Sequence, residues 1–343
     1  MSNSIEVKYR RLGACSLKVS VPILGAMSFG SPDWTGPWIL DEEKSFPILK
    51  AAWDRGINTI DTANAYSNGL SERIIGRFIK QYNIPRNQII IATKCYSVVA
   101  NTPAGFQGKP TPNTPEYINQ YGLSRAAIFN AVEASLERLD TPYIDLLQIH
   151  RYDRDVPAEE TMKALHDLVQ SGKVRYIGAS SMRCWQFAHL NQVAEKNGWT
   201  KFVSMQSEYS LLYREEEREM IPYCKFNGIG LIPWGPVAGG LLCRPSGTET
   251  TRSESYKGKP WQRQLSEVDR VIVDRVDEIA KNRGKTMTQV ALAWVGAKVD
   301  SPIVGTTSIE RLEENILVGL ELTDEEMKYL EEPYVPKPVR GHA

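Results

Sequence analysis

This sequence has no surplus of either charge: 41 Lys and Arg stand against 41 Asp and Glu. No basic tail or patch disturbs that balance, so the electrostatic footprint of a nucleic-acid binder is missing. Long apolar runs are missing too. Segments such as Ile229–Pro236 fall far short of the roughly 20 residues that cross a bilayer. The opening MSNSIEVKYRR has no signal-peptide-like apolar centre, and RGHA at the other end is no retention or peroxisomal signal. Cysteine is scarce and scattered: Cys15, Cys95, Cys184, Cys224 and Cys243 form no C-x-x-C pair. An odd count without a secretion signal fits reduced thiols, so a cytoplasmic protein without a membrane partner is expected. Besides His150, the histidines (His166, His189, His342) have no metal-ligand spacing with cysteines or carboxylates, and no metal site is expected.

What the chain does have is alternation. Short β-branched runs at Ile23–Met27, Ile57–Asp61, Gln88–Lys94, Ile144–His150, Val174–Ser180, Phe202–Gln206, Ile229–Trp234 and Pro302–Gly305 read as strands. Helical spacing fills the intervals, as over Arg125–Leu139, where Ile128, Val132, Leu136 and Leu139 share one face. Ser124 is placed to cap that helix, and Asp41 to cap one over Glu43–Trp53. Eight strand–helix units predict an α/β chain closed into a (β/α)8 TIM barrel. The segment YRRLGACSLKVS before them predicts a β-hairpin that plugs the barrel's bottom. No repeat or domain boundary is visible, and 1–343 reads as one domain. Two connections, Cys95–Leu123 and Gly235–Leu265, are too long for ordinary βα turns. Both follow strand C-termini, the barrel face where active sites lie.

On that face four polar groups collect. Asp61 ends the second barrel strand, Tyr66 follows it, Lys94 ends the third and His150 the fourth. Each alone is most simply a polar strand end, but together they form an acid–base device. A lysine ammonium beside a phenol stabilises the phenolate and lowers its pKa from about 10 toward neutral. Asp61 would hold that ammonium, and His150 would orient a carbonyl oxygen. Tyr66 would then protonate a carbonyl receiving a hydride. Nothing among these residues supplies the hydride, so a cofactor is required.

The pieces DTANAY, IIIATK, LLQIH, GKVRYIGASS, MQSEYSLLYR and SPIVGTTSIERLEENI occur in one order, and with them the chain resembles the aldo-keto reductase superfamily over nearly its whole length. LGAMSFG and HRYD resemble the fungal aryl-alcohol dehydrogenase and polyketide-reductase-like branch. The resemblance implies a barrel using NADPH/NADP, with Asp61, Tyr66, Lys94 and His150 as its catalytic tetrad. It implies that Ser180 and Gln206 hydrogen-bond the nicotinamide carboxamide, and that Trp234 stacks under the ring. Ser181 stands where many members carry Asn and reaches less far. In GTTSIERLEEN, Arg311 would pair with the adenosine 2′-phosphate, helped by Thr306 and Thr307, while Glu314 and Asn315 would contact adenine. Gly305 stands where other members have a lysine, so NADPH preference rests on Arg311.

Other signals lead elsewhere or fail. GKT at 284–286 has Ile279 where a P-loop needs glycine, and GIG at 228–230 is followed by Pro233 instead of a third Rossmann glycine. YREEERE, Tyr213–Glu219, reads as an exposed helix start, and His166 and His189 as helix-surface residues. Trp34, Trp38, Tyr96, Tyr152 and Trp261 lie in loops after strands and are candidates to line an aromatic pocket. The expected function is therefore NADPH-dependent reduction of an aldehyde or ketone, aromatic or polyketide-type. One alternative is a nucleotide-binding barrel with little turnover, resembling potassium-channel β-subunits. A glycoside hydrolase built on Asp61 and Glu208 is another, but it leaves Lys94 without a task.

Overall fold

The structure is a computed structural model and describes residues 7–105, 114–258, 262, 264–316 and 319–342. Strands β1 (Lys8–Arg11) and β2 (Lys18–Val21) pair antiparallel. Eight parallel strands follow: β3 (Ile23–Gly25), β4 (Thr59–Asp61), β5 (Ile90–Cys95), β6 (Ile144–Ile149), β7 (Val174–Ser180), β8 (Ser204–Gln206), β9 (Gly230–Leu231) and β10 (Ile303–Gly305). They lie in the order β10-β3-β4-β5-β6-β7-β8-β9. Just past β9, Pro233 O accepts from Ile303 N at 2.9 Å, which joins the two ends into a ring. All eight strands fall where the β-branched runs predict them.

Helices pack outside this ring. The helix Arg125–Leu139 has the predicted bounds, and Ser124 Oγ accepts from Ala127 N. Asp41 caps Glu42–Asp54 through Lys44 N. Outward-facing strand residues such as Ile60, Ile91, Leu147 and Ile177 meet the apolar helix faces in one continuous core.

The inward side follows from the period-two alternation of strands. Ile23, Ala92, Leu146, Ile232 and Ile303 point inward and pack with Leu12 and Val19 of the hairpin region in a separate cluster. The hairpin thus closes the bottom as expected, with Leu12 fully buried and Ala14 N donating to Gly228 O at 2.8 Å. Two residues further along the same strands, the same alternation turns Lys94, Gln148 and Trp234 toward the opposite mouth.

Candidate active site

The inner lining changes from apolar to polar within one inward step. Ala92 is followed by Lys94 and Leu146 by Gln148, while Asp61 and Gln206 end β4 and β8. All four polar residues are buried. Burial on this scale is tolerated only when each group is paired, and the pairing here is close to complete. Lys94 Nζ donates to Asp61 Oδ2 at 2.6 Å, to Thr62 O at 2.8 Å and to Tyr66 Oη at 3.2 Å. Asp61 Oδ1 accepts from Gln148 Nε2 at 3.0 Å and Gln206 Nε2 at 2.8 Å. Gln206 Nε2 also donates to Gln148 Oε1 at 2.8 Å. Gly178 makes room for this layer: a Cβ there would stand 2.4 Å from Ser204 Oγ and 3.1 Å from Gln148 Cγ.

Tyr66 reaches this layer because the chain after it is bent. Ser67, Asn68 and Gly69 are all left-handed, at φ 48°, 51° and 87°. The strain is held by long-range bonds. Asn68 Nδ2 donates to carbonyls of Thr102, Pro103 and Gly105, and Ser67 Oγ accepts from Ser31 N. Gly30 is needed where these loops meet, since a Cβ there would lie 2.0 Å from Ser67 Oγ. The His150 ring meets the Tyr66 ring edge-on at 6.0 Å, and Trp34 approaches Tyr66 from another side, also at 6.0 Å.

The electrostatics correct one expectation. Burial raises the Tyr66 phenol, and although Lys94 and Arg151 pull it down, its net pKa lies above the ordinary 10.0. The phenol therefore holds its proton at neutral pH. The lysine limits the effect of burial without reversing it. Burial works against the Lys94 ammonium, but Asp61 and Tyr66 outweigh it and hold its pKa above 10.5. Burial, Arg151 and Lys94 together keep His150 well below 6.5, so its imidazole is neutral. His150 Nδ1 is buried with no hydrogen-bond partner among the described residues, a polar group left free to bind an incoming atom.

The residues expected to hold the nicotinamide also converge. Ser180 Oγ donates to Gln206 O at 2.8 Å and lies 3.3 Å from Ser181 Oγ, which accepts from Trp234 Nε1 at 3.1 Å. Ser181 is left-handed at φ 48°, a conformation asparagine adopts more readily than serine. The nitrogen of Gln206 is spent on Asp61 and Gln148, which leaves only its oxygen for a carboxamide. The adenosine end is less open than expected. Thr306 is buried and its hydroxyl donates to Ser308 O at 2.8 Å, so it is turned into its own loop. Arg311 is exposed and donates to Thr307 Oγ1 at 2.7 Å. Glu314 accepts a long bond from Thr288 at 3.4 Å, and Asn315 is buried. Gly305 is exposed, with nothing within 4 Å of where its Cβ would stand. Donors on one rim, an aromatic ring below them and a guanidinium on the neighbouring rim fit a dinucleotide laid across the mouth.

Three sequence readings do not hold. YREEERE is no exposed helix start: Glu215 and Glu216 are buried. Glu215 Oε1 accepts from Tyr334 Oη and from Lys337 N, both at 2.7 Å. These contacts pin a C-terminal tail that crosses the mouth, where Arg340 donates to Glu208 Oε1 at 2.8 Å and Gly341 lies against Trp234. His166 is half-buried, with Nδ1 3.1 Å from Thr200 Oγ1 and its ring stacked on Trp199; His189 is exposed as expected. Trp38 does not line the mouth. It is buried under Arg252, 4.4 Å from its ring, and against Tyr256 of the short helix Thr251–Tyr256 within the 235–265 connection. Trp261 lies outside the described residues. The hydrolase pair is also spent: Asp61 holds Lys94 and Glu208 holds Arg340.

Sequence reading missed Gln148 and Arg151. Gln148 was visible in LLQIH, two places before His150 and therefore on the inward face. Arg151 gave no signal of its own, because only the folded chain brings its charge to bear on Tyr66 and His150.

The family model described as Aldo/keto reductase family matches residues 23–334. An aldo-keto reductase of Fusarium vanettenii is 52% identical, over 98% of this chain and 94% of its own. Versiconal hemiacetal acetate reductase of Aspergillus parasiticus is 50% identical, over 97% and 98%. A Schizosaccharomyces pombe protein provisionally named an aryl-alcohol dehydrogenase is 51% identical, over 99% of each chain.

Proposed function

Because this chain belongs to the aldo/keto reductase family, we propose that it reduces an aldehyde or ketone with NADPH, and that Tyr66 gives the proton. The observation that carries this reading is the buried Lys94 ammonium, bound at once to Asp61 at 2.6 Å and to the Tyr66 hydroxyl at 3.2 Å. NADPH supplies the hydride when bound. Ser180, Ser181 and the Gln206 oxygen would hold its carboxamide, Trp234 its ring face, and Arg311 with Thr307 its 2′-phosphate. Glu314 and Asn315 remain the candidates for adenine, and Thr306 serves through its backbone turn.

The protein's own residues handle the proton. Burial keeps the Tyr66 phenol protonated before reaction. As negative charge grows on the substrate oxygen the proton passes to it, and the phenolate left behind is stabilised by Lys94, which Asp61 keeps charged. Neutral His150 donates to the same oxygen without competing for the proton. The substrate expected is a bulky aromatic or polyketide-type carbonyl compound, in keeping with relatives named for versiconal hemiacetal acetate and aryl alcohols. Five free cysteines, and no described helix long and apolar enough to cross a membrane, support a cytoplasmic location.

The test is Tyr66→Phe, assayed with NADPH and 4-nitrobenzaldehyde. Turnover should fall by about 100- to 10,000-fold, while NADPH binding, read by tryptophan fluorescence, is retained. Near-normal turnover would sink the mechanism. If the unaltered protein binds NADPH but consumes none with any carbonyl, the binding-barrel alternative is favoured.

A further inference from the structure

Arg151 is a cation at the mouth that the proposed chemistry leaves unused. It directly follows His150, and its Nη1 donates to the His150 backbone oxygen at 2.6 Å. Three other partly buried arginines each reach a carboxylate: Arg86 has Asp145, Arg138 has Glu72, and Arg214 has Glu217 and Glu331. Arg151 has no carboxylate within 4.0 Å among the described residues. Asp153, two residues on, is occupied by Leu123 N at 2.8 Å and Asp155 N at 3.1 Å.

The charge of Arg151 is nevertheless felt around the mouth. It lowers His150 and draws down Tyr66 and Tyr96 against the effect of their burial. His342 of the tail is pulled to about 4 by burial first and then by Arg183 and Arg151. Arg183, at the start of helix Cys184–Lys196, therefore adds a second positive field from the next loop. Its acidic neighbour Glu216 lies beyond salt-bridge distance, and burial holds that acid up at about 7. Tyr152 follows Arg151 in sequence and Trp185 stands two residues after Arg183, and their rings meet edge-on at 6.1 Å; Trp185 is 62% exposed.

A guanidinium cannot shed its charge by deprotonating, and one withdrawn from water without an anion is costly to keep. A planar anion would gain a forked, charge-assisted pair there, and an aromatic body would find ring surface next to it. We propose that Arg151, with Arg183 behind it, anchors an anionic oxygen group on the substrate, so that this site takes an aromatic aldehyde or ketone bearing an ionised acid. The inference rests on the reductase reading and names the substrate class of that same site.

Steady-state reduction of 4-formylbenzoate and 3-formylbenzoate, each against its methyl ester, tests it. The ester keeps the ring and the carbonyl but removes the charge. The unaltered protein should favour at least one acid over its ester by about tenfold or more in kcat/KM. That ratio should fall about 10- to 100-fold in Arg151→Gln, less in Arg183→Gln, and recover in part in Arg151→Lys. A ratio unchanged by Arg151→Gln overturns the anchor. So does a loss of NADPH affinity in step with the loss of acid turnover, since the cation would then serve the nucleotide's phosphates. Equal turnover of acid and ester by the unaltered protein overturns the anchor and leaves the reductase standing. Turnover of neither, with 4-nitrobenzaldehyde still reduced, overturns the anchor and leaves the reductase standing; if 4-nitrobenzaldehyde is not reduced either, the reductase reading falls first.

Discussion

Asp61→Asn is the perturbation whose cost the geometry sets most directly. Asp61 receives three donors, Lys94 on one oxygen and Gln148 and Gln206 on the other. An amide has only one oxygen. Its NH2 must face either the Lys94 ammonium or the two glutamine nitrogens, donor against donor in both cases. The substitution also leaves a buried ammonium without its anion, which costs about 3–5 kcal/mol. Unfolding entropy of about 2.1 cal/mol/K per residue over 343 residues makes that a fall in Tm of about 4–7 °C. Differential scanning calorimetry reads it. The double variant Asp61→Asn/Lys94→Met removes the orphaned charge and should regain most of the lost Tm, while turnover stays abolished. If the single variant melts like the parent, or the double variant is no more stable than the single, the pair is not coupled and the reasoning fails.

Glu216→Gln addresses another buried acid. Burial, then Glu208, raise this carboxyl from 4.5 to about 7, so the folded protein keeps a proton that the unfolded chain has already released. That group's contribution to stability therefore falls as pH rises from 4.5 to about 7, by on the order of 3 kcal/mol. Urea titrations should find Glu216→Gln more stable than the parent at pH 8 and no more stable at pH 4.5; equal stability at both would refute the assignment. Arg340→Ala cuts the tail's contact with Glu208. Because the arginine is partly solvated the loss should be only about 1 kcal/mol, but carboxypeptidase should trim the tail faster than in the parent. Unchanged trimming would mean that other contacts hold it.

What was legible in the sequence was local. Eight β-branched runs sit where the eight strands form, and Ser124 and Asp41 cap the helices they precede, because spacing and capping act within a few residues. The gathering of Asp61, Tyr66, Lys94 and His150 at one mouth was legible because Asp61, Lys94 and His150 end or directly follow strands whose parity fixes their direction. What was not legible depends on partners far along the chain. Nothing near Glu215 shows that Tyr334 and Lys337 will cover it, so its run reads as a solvated face. The net direction of the Tyr66 pKa depends on how deeply loops from elsewhere bury the phenol, which its neighbours in sequence do not reveal. Thr306 looked free to bind phosphate because the turn that uses its hydroxyl forms only in the folded loop.

The tail's path has a practical side. Glu215, Asp269 and Glu208 hold Lys337 and Arg340 in turn, and the stretch they guide brings the chain up to Trp234, where a Cβ added at Gly341 would stand 3.9 Å from the ring. His342 therefore stands near the rim of the mouth, and an affinity tag fused beyond it would start from there. A histidine tag fused there would be a flexible competitor for the same opening, whereas the hairpin that begins at Lys8 lies at the plugged bottom. Activity assays on this protein should therefore use an N-terminal tag or a cleaved one, and kinetic constants from C-terminally tagged material would describe the tag as much as the enzyme.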